Sequence, residues 1–148
     1  MPRLMTALIA SIALAGPALA DLEEIPAEGS VAEVADRLET AITEAGANLF
    51  LRVDHAEGAA SVDMELADSQ LLVFGNPKLG TLPMQQDIRA GLHLPLKMLV
   101  FSQDGETRIA WEEPDEMFDD LDIDDDAPYL AKMDGALKSF AQKAAGTQ

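Results

Sequence analysis

The chain has 148 residues, the size of one domain and short for two. Ten Lys and Arg stand against 27 Asp and Glu, a net charge of −17, which argues against nucleic acid as a partner because phosphate binding needs clustered positive charge. With no cysteine there is no disulfide, no thiol nucleophile and no cysteine-ligated zinc or iron–sulfur centre.

The first twenty residues read as a cleaved leader. Arg3 gives a short positive start, and Leu4 to Ala15 form an apolar stretch too short to cross a bilayer. Gly16-Pro17 break it, and Ala18-Leu19-Ala20 is a small-x-small cleavage site before Asp21. The expected product is a periplasmic or secreted acidic domain spanning 21–148, with no membrane span left after cleavage.

Ser30 and Glu33 form a capping box, in which each side chain satisfies a free backbone N–H at a helix start. Val31, Val34, Ala35, Leu38, Ala41, Ile42 and Ala45 follow at helical spacing, and Gly46 is a natural stop. Leu49, Leu51 and Val53 then alternate with Phe50, Arg52 and Asp54, the period of a strand covered on one side. Ala56 to Glu65 reads as a short helix, although Val62, Met64 and Leu66 also fit a period of two. Leu71-Leu72-Val73-Phe74 is a continuous apolar run, expected of a central strand covered on both faces, and it halts at the turn signal Gly75-Asn76-Pro77.

Thr81 is the expected cap of a helix running to about Ala90, closed by Gly91. Leu96 to Ser102 and Thr107 to Glu112 flank Asp104-Gly105, the tip of a hairpin. Glu112 to Asp126 holds ten acids in fifteen residues and reads as a solvated connector. A C-terminal helix, about 127–145, places Leu130, Met133, Leu137, Phe140, Ala141 and Ala144 on one stripe, with Asp126 as its expected cap. The fold class is α+β: one compact domain with a mixed or antiparallel sheet packed by helices.

Four motifs in order, Val53-Asp54-His55-Ala56, Leu72-Val73-Phe74-Gly75-Asn76-Pro77, Gly80-Thr81 and Leu94-Pro95-Leu96-Lys97, resemble the bacterial family known as domain of unknown function 302. The resemblance spans about 31–114. It implies a compact α/β sandwich with one more short strand around Leu22 to Ala27, and it implies no particular activity. The family commonly has Pro-Leu-Met after Gly-Thr, whereas this chain has Leu82-Pro83-Met84, which moves the Pro one position into the helix.

The chemistry-bearing candidates sit at chain reversals, where binding residues concentrate. His55, at a strand end beside Asp54, could act as a general base or a metal or haem ligand, or could simply fix the turn through its ring nitrogens. Gly75 lets a partner approach the backbone, and Asn76 offers donors and an acceptor, or else caps the helical turn that Pro77 begins. Lys97 is one of few cations and could meet an anion, or remain a surface charge. The expected ligand site is therefore Asp54, His55, Gly75, Asn76, Pro77 and Lys97.

Other patterns fail. Lys78, Gly80 and Thr81 miss the order of a phosphate loop, and Asp120, Asp122 and Asp124 lack the Gly and Glu that a calcium loop needs. Met84, His55 and His93 would be the set to test for copper, but no His-x-His or Met-x-x-Met spacing exists, so no metal site is expected. No serine has a nucleophile-elbow frame. The expectation is a non-enzymatic small-ligand or partner-binding module. The alternatives are a small enzyme with His55 as general base, or an architectural domain that self-associates into a homo-oligomer. No cofactor or catalytic residue is assigned by the sequence.

Overall fold

The computed structural model describes residues 22–146; the expected leader and its cleavage site lie outside the described residues. The elements in chain order are β1 (Leu22–Ala27), α1 (Val31–Glu44), β2 (Asn48–Asp54), α2 (His55–Ala60), β3 (Ser69–Gly75), α3 (Pro77–Gln86), a 3-10 helix (Ile88–Leu92), β4 (Leu96–Gln103), β5 (Glu106–Glu112), α4 (Pro114–Met117) and α5 (Pro128–Ala145). The strands form one five-stranded sheet in the order β1-β5-β4-β3-β2. Every pairing is antiparallel, so the sheet is a meander of β2 to β5 with β1 added at the far edge. This is a single α+β domain.

Local chemistry explains most element boundaries. Both halves of the Ser30–Glu33 capping box are made, and Gly46 follows α1 with a φ of 78° that favours glycine. The capped Glu33 carboxyl is held below its usual pKa by the Ser30 backbone N–H that it accepts from. Six of the seven expected apolar positions of α1 are buried; Ala45, already at the cap, is exposed. Asp104 and Gly105 both take positive φ at the hairpin tip, the backbone form whose twist matches two flanking strands.

The core lies between one sheet face and the antiparallel layer of α1 and α5. Leu38 and Ile42 from α1 and Leu137 and Phe140 from α5 cover Leu72, Phe74, Met98, Val100 and Ile109 of the sheet. Phe140 meets Phe74 edge-on at 5.7 Å between ring centres. Arg37 ties the layer together, donating from Nε to the Ala144 carbonyl (2.8 Å) and from its terminal nitrogen to the Glu28 carbonyl (2.5 Å).

Several expectations are corrected by this arrangement. A bulge between Leu49 and Leu51 reverses the side-chain parity of β2, so Leu51 and Val53 face away from the helices while Arg52 turns toward α1 and pairs with Asp36 and Glu39. Leu51 is consequently 54% exposed. β3 is interior but covered on one face only: Leu72 and Phe74 are buried, Leu71 and Val73 partly open. The Ala-rich helix stops at Ala60, leaving Val62, Met64 and Leu66 exposed beyond it. α5 begins one residue later than expected: Ala127 takes the cap position without a side-chain bond, and Pro128 opens the helix.

The acidic segment is not simply a solvated connector. Most of its carboxylates are exposed, Glu113 being partly buried beside Lys138, but Pro114, Met117, Phe118, Ile123 and Ala127 are buried and pin it to the body, with the short α4 at its start.

Candidate functional site

Three chain reversals meet at one end of the sheet. β3 ends at Gly75, α3 starts at once, and the 3-10 helix returns the chain through a cis Leu94–Pro95 bond into β4. α3 begins here because Asn76 takes an extended backbone and its Oδ1 accepts from the Lys78 N–H at 3.0 Å, with Pro77 preorganised in the first turn. Asn76, not Thr81, is therefore the cap; Gly80 and Thr81 lie within the helix.

Between these reversals opens a cavity of about 270 Å³. Phe50 closes one side from the β2 bulge, Leu79 and Met84 come from α3, Leu94 and Pro95 from the cis turn, and Met133 from α5 forms the inner wall. Gly75 shapes the floor: a Cβ there would sit 3.4 Å from Phe50 Cε2 and 3.6 Å from Pro95 Cβ, so a longer side chain has to project among the lining groups. Gly91 allows Met84 to lie close, since a Cβ on it would be 3.5 Å from the Met84 sulfur. The lining residues include no charged side chain; Asn76 and Thr81 supply the polar side chains.

One outer wall is held by Asp87, which is 8% exposed. It caps the 3-10 helix by accepting from the Arg89 N–H (2.9 Å), and it pairs with the Arg89 guanidinium at 2.5 to 3.0 Å. It also accepts from the Asp122 N–H at 3.3 Å, so one carboxylate joins the cavity wall to the acidic segment. The Arg89 hydrogen bonds hold its carboxyl far below the ordinary aspartate range.

The expected site residues divide between places. Gly75, Asn76 and Pro77 line the cavity. Asp54 and His55 do not: the register pairs Asn48 with Gly75 and Asp54 with Gln70, which puts them at the opposite end of β2, about 20 Å away at strand rise. Asp54 caps α2, accepting from the Glu57 N–H (2.9 Å) and from Gln70 Nε2 (3.1 Å), so its oxygens serve the fold and not the His55 ring. His55 is the exposed first residue of α2. Lys97 pairs with Val73 and points to the helix-free face, since its neighbours Leu96 and Met98 point to the core.

The Met84, His55 and His93 set is likewise dispersed. Met84 lines the cavity, His93 stacks edge-on against Phe118 at 5.8 Å, and His55 is at the far end. Among the described residues no group of three or more His, Asp or Glu is placed to hold a metal ion.

Residues 23–140 match the family described as "Domain of unknown function DUF302". The chain belongs to the DUF302 family. A crystal structure of an uncharacterized conserved DUF302 protein from Bacillus stearothermophilus superposes with a TM-score of 0.76, covering 83% of this chain and 97% of that one at 16% identity, which shows the fold. A fluoride-specific ion channel, FluC 1, of Brucella suis biovar 1 (strain 1330) is 36% identical over 88 residues, 60% of this chain and 34% of the channel protein. Its counterpart in Brucella abortus biovar 1 (strain 9-941) is also 36% identical over 88 residues, 32% of its length. This chain thus spans about a third of those relatives. No helix among the described residues is long and apolar enough to cross a membrane. In this DUF302 chain, the second, third and fourth family-like motifs all contribute to the cavity, and the first builds the remote cap of α2.

Sequence reasoning missed Phe50, Leu79, Met133 and Asp87. Phe50 looked like the outward residue of a regular strand, and only the bulge places it on the cavity. Asp87 did carry a readable signal: an aspartate two residues before an arginine and just ahead of a short turn is an N-cap pattern.

Proposed function

We propose that this DUF302 protein is an exported, non-enzymatic binding module whose ligand seat is the cavity at the Gly75–Pro77 end of the sheet. The observation that carries the reading is convergence. Three separated motifs, weak one by one, surround one preformed apolar hollow with a few polar groups at its mouth, the usual form of a small-molecule site. Asp54 and His55 stand apart from it, which weighs against His55 as a base acting on a ligand bound there. Export rests on the leader-like first twenty residues, and a mature mass beginning at Asp21 in a periplasmic fraction checks it.

The relatives named as fluoride channels raise fluoride as a ligand. The cavity speaks against it, because its lining holds no cation. The test is a titration of methionine-methyl-labelled protein with propylbenzene, reading the Met84 and Met133 signals. They should shift in the wild type and stay still in Gly75→Leu, whose side chain is built out against Phe50 and Pro95 of the lining. Unmoved signals in a folded wild type, or equal shifts in the variant, would sink the reading; shifts with fluoride alone would redirect it to an anion.

A second reading, self-association, is favoured by the helix-free sheet face, where Leu51, Val53, Leu71, Val73, Leu99 and Phe101 form a half-exposed apolar surface. Light scattering across a concentration series decides it: a persistent monomer excludes it.

A further inference from the structure

We infer that the ligand is an uncharged molecule of about ten non-hydrogen atoms, with an apolar body and one carbonyl or ether oxygen that accepts from Asn76 Nδ2. This rests on the cavity being the ligand seat. Size follows from volume: a dry protein cavity of about 150 Å³ takes one benzene. The 270 Å³ here matches a substituted ring or a short branched chain.

Polarity follows from what the lining groups still offer. Asn76 Oδ1 already accepts from the Lys78 N–H, so of this side chain we assign the amide NH₂, which donates, to the ligand; the Thr81 hydroxyl is the other polar group of the lining. Asn76 is exposed at the rim, whereas Met133 lies at the buried inner wall. A ligand is thus oriented with its oxygen at the mouth and its hydrocarbon against Met84, Leu94 and Met133. A carboxylate or phosphate is excluded on two grounds: no lining cation repays its lost hydration, and the field of a chain with net charge −17 repels it.

Three probes of matched size separate the possibilities: acetophenone, propylbenzene and benzoate, each titrated while the Met84 and Met133 methyl signals are followed. Removing the Asn76 donor should weaken acetophenone about 3- to 10-fold, the worth of one hydrogen bond, and benzoate should leave the signals in place. Asn76→Asp keeps an acceptor for the Lys78 N–H, so α3 stays capped, but it removes the NH₂ donor. That variant should bind propylbenzene as the wild type does. An acetophenone affinity that Asn76→Asp leaves unchanged, or benzoate binding most tightly, would overturn the ligand class and leave the cavity reading standing. Methyl signals that respond to none of the three would overturn both.

Discussion

Asn76 does two things with one side chain: its oxygen starts α3, and the residue lines the cavity. Removing that oxygen by Asn76→Ala should cost about 1 kcal/mol of stability, the usual worth of an N-cap, measurable by urea unfolding. Asp87 and Glu113 act on pH in opposite directions. The carboxyl of Asp87 is depressed by its Arg89 bonds, so its contribution is complete above the ordinary aspartate value of 3.8 and is lost as pH falls below it toward the folded pKa. Glu113 is raised, chiefly by a shared hydrogen bond with Glu23, with burial and nearby Asp115 adding to it and Lys138 opposing. A raised carboxyl favours the fold when protonated, so that contribution is present below the ordinary 4.5 and fades as pH rises through the folded value. The melting temperature should therefore climb as the pH is lowered through the folded value of Glu113 toward 4.5, and fall again in stronger acid as Asp87 and the likewise depressed Glu33 are protonated. A profile flat from neutral downward, or one peaking above neutrality, would contradict this assignment.

Among the elements, α1 was the most legible because its signals agree: cap, apolar stripe and terminal glycine all name the same helix. Leu38 sits at the centre of that stripe and is fully buried, so Leu38→Ala should cost about 3 kcal/mol by chemical unfolding. The hairpin was equally plain from its Asp-Gly tip. Where signals compete, reading by pattern fails for physical reasons. Thr81 and Asn76 are both good caps five positions apart, and tertiary placement of Pro77 at the end of β3 selects the second. In β2 a single extra residue inverts the faces of everything after it, which no alternation of apolar letters reveals. The same register decides the site. Three motifs could be picked out in the sequence, but that they converge while Asp54 and His55 do not depends on strand pairing, a long-range property.

For the molecule as a whole, charge opposes compactness. With 27 acids and ten bases, the acidic segment 112–126 crowds like charges that its buried Phe118 and Ile123 must hold in place. Raising sodium chloride from low to physiological strength should therefore raise the melting temperature, since screening relieves repulsion between exposed carboxylates. A melting point that falls with salt would mean that the Arg52 and Arg108 ion pairs dominate instead. Sheet order carries a further consequence, for the sequence of events when the chain folds. β1 has β5 as its neighbour, with Leu22 opposite Glu112, so the earliest strand of the described chain stays single until the last one is made. In the interval it is an exposed ribbon, and Glu23, Glu24 and Pro26 are the residues that make such a ribbon a poor template for a neighbouring molecule.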